Sequence, residues 1–165
     1  SDLGGFDEKF FVSFEDVDLG WRTWINGYKV VINPKSVVYH YGGKSHSAIK
    51  NEIAFHGFKN QLTMKITNFE TKYRFYKMLK FLIVIGFREL KILLDYQFTG
   101  KTLMTSTKYV DTIAPKPSIK TIIKAFFWIA SNTKYISKKS KQIQKSRKLS
   151  TKELEKMGVL SDIKQ

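Results

Sequence analysis

The sequence contains no cysteine. That excludes a disulfide scaffold, a thiol nucleophile and any cysteine-ligated zinc or iron–sulfur site, and it accords with a reducing compartment. No secretory signal opens the chain, and no apolar run approaches the roughly 18 residues of a membrane span. The longest, over 81–87, has seven residues. No internal repeat is visible, and no helix–turn–helix, zinc or RNP-like motif supports nucleic acid as a partner. Acids are scarce: 14 Asp and Glu against 29 Lys and Arg, a net charge of +15. Apolar residues are not scarce. They make up 42% of the 165 residues, with 15% aromatic, which suits one domain with a real core and not a disordered chain.

The charge is unevenly placed. Residues 1–40 carry six acids and four bases, whereas residues 41–165 carry 25 bases and eight acids. An acidic head beside a basic body suits metal or proton chemistry next to phosphates or anionic lipid. Solvated surface lysine explains the same excess without any partner. The chain opens on Ser1, and a dense motif begins by Gly4, so it is expected to be part of something longer.

Turn and periodicity signals divide the chain into four parts: 1–46, 47–98, 99–118 and 119–165. Gly4-Gly5-Phe6-Asp7-Glu8 reads as a turn. A helix is predicted from Glu15, with acids in its first turn, to the stop at Asn26-Gly27. Residues 28–32 (YKVVI) and 37–40 (VVYH) read as strands. Two strands rarely make a stable sheet, so the rest of that sheet is expected elsewhere. After the Gly42-Gly43 turn, Ser45 or Ser47 could cap a helix reaching Phe69, with Phe55, Phe58, Leu62, Ile66 and Phe69 on one face. Further helices are predicted over 73–96 and 119–137, separated by a polar linker. The Lys-rich tail over 138–165 reads as mobile or only partly helical.

The first helix is the most informative. At about 100° per residue, Val17, Trp21, Trp24, Ile25 and Tyr28 form one stripe, read as core. Trp21 and Trp24 could alternatively stack on sugar rings. Asp16, Gly20, Thr23 and Gly27 form another stripe with little bulk, which leaves Asp16 the open access a general base needs. Complementing the helix dipole is the plainer role for Glu15, Asp16 and Asp18. Asp18 and Arg22, four apart, are expected to pair on the outside. Asp16-Val17-Asp18 spells D-x-D, but on a helix the two carboxylates point about 200° apart and cannot grip one ion. Asp7 and Glu8 either cap the turn or contact a substrate. His46 and His56 have no partner spacing that suggests a site.

The stretches GGFDEKFF (4–11) and EDVDLGWR (15–22), with Gly27-Tyr28, Pro34 and His40 ahead of Gly42 and Ser45, closely resemble the second half of family 2 glycosyltransferases. Lys59-Asn60 resembles the Arg-Asn pair of that family's bacterial rhamnosyltransferase-like branch, and KQIQKSRKLSTKEL (141–154) resembles its basic C-terminal segment. The resemblance implies an α/β fold, a partial Rossmann-like GT-A domain with few strands followed by a mainly helical extension, with the nucleotide-binding half and its metal-binding loop upstream. It implies Asp16 as catalytic base of an inverting transfer from a nucleotide-sugar donor to a saccharide or lipid-linked acceptor, with Glu15 orienting acceptor or base. It further implies His40 as a ligand of Mn²⁺ or Mg²⁺, expected in the full-length enzyme and not on this segment. Lys44 and Ser45 would reach the donor phosphates. Cell-surface polysaccharide synthesis and a cytoplasmic, peripheral place at the inner face of the membrane accompany that reading. The alternative is a basic surface module without catalysis: Lys120, Lys124 and Lys134 flank Phe126-Phe127-Trp128-Ile129, a pattern suited to an anionic membrane surface or to packing on a catalytic domain.

Overall fold

The computed structural model describes residues 3–39, 50–99 and 118–160, and among these every regular element is helical. The α/β, partly Rossmann-like expectation is therefore corrected. Residues 28–32 and 37–39, expected as strands, are irregular, and Val31, Ile32, Val38 and Tyr39 are each more than four-fifths exposed. β-branched and aromatic residues favour a strand only where a neighbour takes up the backbone N–H and C=O groups and the side chains pack. No such neighbour exists among the described residues.

The helices are α1 (Glu15–Ile25), α2 (Lys50–Asn68), α3 (Thr71–Thr99), α4 (Ile119–Ser131), α5 (Thr133–Ser146) and α6 (Thr151–Lys156). α1 begins and ends where the sequence places it. Gly27 closes it in the left-handed conformation, φ +78°, that glycine adopts freely. α2 is the central helix and touches α1, α3, α4 and α5. Its predicted face is largely buried: Phe55, Phe58, Leu62 and Phe69 are in the core and Ile66 is half-buried.

Two apolar clusters result. Phe55, Phe58 and Leu62 of α2 pack with Ala125 of α4, and Met78, Phe81, Leu82 and Ile85 of α3 close over them. Around the other end of α2, Met64 and Phe69 meet Phe10, Trp21, Ile25, Ile143 and Leu154. The stripe on α1 is thus core only in part. Trp21 and Ile25 are buried and Trp24 half-buried, but Val17 and Tyr28 are about half exposed.

The C-terminal third departs most from expectation. The helix predicted over 119–137 is broken at Asn132, whose side-chain amide donates to the Trp128 carbonyl at 2.8 Å. The tail, expected to be mobile or only partly helical, is partly helical: it carries the second half of α5 and all of α6. Ile136, Ser140 and Ile143 recur at helical spacing on the buried face of α5. Residues 144–149 also cap two helices. The Lys148 and Leu149 N–H groups donate to the Ile25 carbonyl at the end of α1, at 2.9 and 3.0 Å. Gln144 Nε2 donates to the Thr67 and Phe69 carbonyls, and Arg147 to that of Asn68, at the end of α2. These carbonyls would otherwise be orphaned. No helix among the described residues is long and apolar enough to cross a membrane.

Leu154 is fully buried, so Leu154→Ala should destabilise the fold by about 2–5 kcal/mol, as a core truncation does. Urea unfolding measures this directly; a loss below about 0.5 kcal/mol, typical of a surface position, would show that the tail does not pack.

Candidate functional site

The GGFDE turn and the start of α1 form one polar assembly. Gly4 and Gly5 both adopt φ near +70°, which folds the turn back over α1. Arg22 holds it there, donating from Nη1 to the Leu3 carbonyl and from Nη2 to that of Gly5 at 2.8 Å. Behind Arg22 lies Asp18, with no solvent exposure at all. Its Oδ2 accepts from Arg22 Nε at 2.9 Å and Lys139 Nζ at 3.0 Å, and its Oδ1 from Asn68 Nδ2 at 3.1 Å. The expected outer Asp18–Arg22 pair is real but buried. A buried pair needs further partners to offset desolvation, and here α2 and α5 supply them.

Asp7 is the second fixed acid. Burial by itself would raise its pKa, but Lys139 and the Tyr135 hydroxyl, both donating to Oδ2, hold it below the usual carboxylate range. Its Oδ1 accepts from the Lys9 N–H at 2.9 Å, so Asp7 caps the turn. Burial and the facing Asp7 keep the Tyr135 phenol protonated, well above its ordinary pKa. A cleft of about 520 Å³ opens between this turn and α5, lined by Gly5, Phe6, Asp7, Tyr135, Lys138 and Gln142 among others. It can admit a small polar molecule.

Glu15 and Asp16 do not line that cleft. Arg22, which does, lies about 120° round α1 from Asp16. Asp16 is exposed, and among the described residues its Oδ1 accepts from the adjacent Val17 N–H alone, at 2.7 Å. A methyl group placed on Gly20, one turn on, would meet no described atom within 4 Å. The ledge read from the sequence is therefore open beside Gly20, but at its far end the Lys148 side chain lies 3.4 Å from where a Cβ on Gly27 would stand. Glu15 is half-buried, and its Oε2 is buried without a hydrogen-bond partner among the described residues.

The chain enters α1 through two strained residues, Ser13 and Phe14, at φ +69° and +66°. Left-handed backbone in two successive residues that are not glycine costs about 1–2 kcal/mol each, so something must hold it. Asn60 does. Its Nδ2 donates to the Val12 carbonyl at 3.0 Å and the Ser13 carbonyl at 2.7 Å. Lys59, only 2% exposed, donates to the Lys9 carbonyl at 2.6 Å and sits 4.5 Å from the centre of the Trp128 ring. Burial pushes the Lys59 ammonium down to about 8, against the opposing pull of Asp7. The sequence marked Lys59-Asn60 only by likeness; the structure shows what the pair grips.

Tyr135, at the end of the helix predicted over 119–137, and Lys139, in the tail, are not singled out by the sequence reading. The spacing of Ile136, Ser140 and Ile143 was the available signal for a packed helix there. His40, Lys44 and Ser45 lie outside the described residues. No group of three or more His, Asp or Glu among the described residues could hold a metal ion, so the implied Mn²⁺ or Mg²⁺ finds no ligand set in them. Comparison with models of protein families, with curated proteins and with solved structures finds no match.

Lys59 gives a test by titration. Its folded pKa of about 8 lies below the ordinary 10.5, so the unfolded chain binds more protons between those values. The cost of burying the charge is full below pH 8 and is lifted as pH rises towards 10.5. Relative to Lys59→Met, the parent protein should gain stability over that interval in urea unfolding. A difference between the two that is flat with pH would contradict the buried charge.

Proposed function

We propose that this chain contributes the acceptor-side part of an inverting glycosyl transfer, with Asp16 as the general base. The observation that carries the reading is the division of labour among the aspartates of the motif. Asp7 and Asp18 are consumed by Lys139, Tyr135, Arg22 and Asn68, whereas Asp16 faces open space over Gly20. The likeness of residues 4–45 to family 2 glycosyltransferases supplies the reaction class.

In this mechanism an acceptor hydroxyl gives its proton to Asp16 as its oxygen attacks the anomeric carbon of the donor. The bond from that carbon to the diphosphate breaks, the nucleoside diphosphate leaves with the electron pair, and the configuration inverts. Glu15, half-buried next to the base, orients the acceptor or the base. Asn60 and Lys59 fix the loop that launches α1 and so act as positioning residues. The acceptor is a saccharide or a lipid-linked saccharide. The reading requires a nucleotide-binding half beyond the described residues, and His40, Lys44 and Ser45 retain their proposed places at metal and phosphates only in that setting.

In the full gene product, Asp16→Asn should lower kcat by about 10²–10⁴-fold, the usual loss on removing a general base, with donor affinity nearly intact. Near-normal turnover by that variant would remove Asp16 from the role. The 165-residue chain alone should bind a nucleoside-diphosphate sugar weakly or not at all in calorimetry, and micromolar affinity would contradict the division into two halves.

A further inference from the structure

Over residues 75–87, α3 is apolar on most of its circumference, yet among the described residues only one side of it is covered. Met78, Phe81, Leu82 and Ile85 face α2 and α4. On the other side Phe75, Tyr76, Leu79, Ile83, Val84 and Phe87 stand exposed, Phe75 by 79%. At about 100° per residue these six fill one half of the helix, and Lys72 falls in the same half. An apolar face of this size needs a partner. A helix that cannot span a bilayer but is apolar on its outer face and carries lysine among aromatics is built to lie in the membrane interface.

We infer that the outer face of α3 docks on an anionic lipid surface. Charge selects this occupant. A second copy of the chain would bring two bodies of net charge +15 together, whereas anionic headgroups attract each lysine by about 1 kcal/mol near the surface. Lys72 is exposed and lies 3.4 Å from the mostly covered Glu70 carboxylate, and Lys124 lies 3.5 Å from the exposed Glu52. α4, packed on the same stretch of α2, repeats the pattern: Ile119, Ile123 and Phe127 are exposed at four-residue spacing beside Lys120 and Lys124. The sequence pointed to Phe126-Phe127-Trp128-Ile129 for this role. The structure moves it, because Phe126 packs on Phe58 and Trp128 lies under Lys59. The inference does not depend on sugar transfer.

The test is co-sedimentation of the full chain with two kinds of vesicle. One holds equal parts of phosphatidylglycerol and phosphatidylcholine; the other holds phosphatidylcholine alone. The chain should sediment with the first at low salt, be released as salt screens the headgroups, and ignore the second. Phe75→Ser combined with Phe87→Ser should leave the helical circular dichroism unchanged and weaken binding by about tenfold or more. A Phe87→Trp reporter should shift its emission to the blue on binding. Equal binding to both vesicles, binding to neither, or full binding by the double serine variant would overturn the inference. So would a concentration-dependent dimer, seen by sedimentation velocity and abolished by the same serine substitutions, which would give the face to a second copy.

Discussion

The Asp18 carboxylate is the point on which the described structure turns. It is sealed from solvent and holds three donors from three helices: Arg22 of α1, Asn68 of α2 and Lys139 of α5. Arg22 carries the constraint on to the Leu3 and Gly5 carbonyls, and Lys139 to Asp7. One carboxylate thereby fixes the motif turn, the first helix and the C-terminal segment against each other. Removing one member of such a set leaves an uncompensated buried charge, typically worth 3–5 kcal/mol. The acidic head and basic body seen in the sequence are in part the two sides of this contact.

That contact explains why acids close together in sequence have different fates. Asp16 and Asp18 are two residues apart, so on a helix they point about 200° apart. Asp18 enters the interior, and Asp16 faces out beside the small Gly20. Asp7 is drawn to Lys139 and Tyr135 on the far side of the turn. The strained entry at Ser13-Phe14, clamped by Asn60, sets the rotation of α1 and so decides which carboxylate goes where. The functional proposal rests on this sorting.

Where short-range signals agree with the packing, the sequence was legible. Acids at Glu15 and the stop at Asn26-Gly27 bound α1, and the apolar spacing from Phe55 to Phe69 gave the buried face of α2. The open position of Asp16 was read from the small residues of its stripe, Gly20, Thr23 and Gly27, of which Gly20 is the one that stands clear. The strands did not follow, because VVI and VVY record a preference that needs a pairing neighbour. α5 was hidden by its lysines: only Ile136 and Ile143 mark its inner face, with Ser140 between them. Nothing local to Lys139 shows that its ammonium is turned inward, because its partners Asp7 and Asp18 lie more than a hundred residues away. Lys59 likewise looks like a solvent lysine until its carbonyl and Trp128 contacts are seen.

A double-mutant cycle between Asp18 and Lys139 tests the account most directly. Asp18→Asn, Lys139→Met and the double variant, compared with the parent by urea unfolding, isolate the energy linking α1 to the C-terminal segment. Direct contact in a buried network predicts a coupling of about 0.5–3 kcal/mol. Additive losses, with coupling within about 0.3 kcal/mol of zero, would mean that the basic helix does not meet the acidic motif and would undo the sorting of its carboxylates.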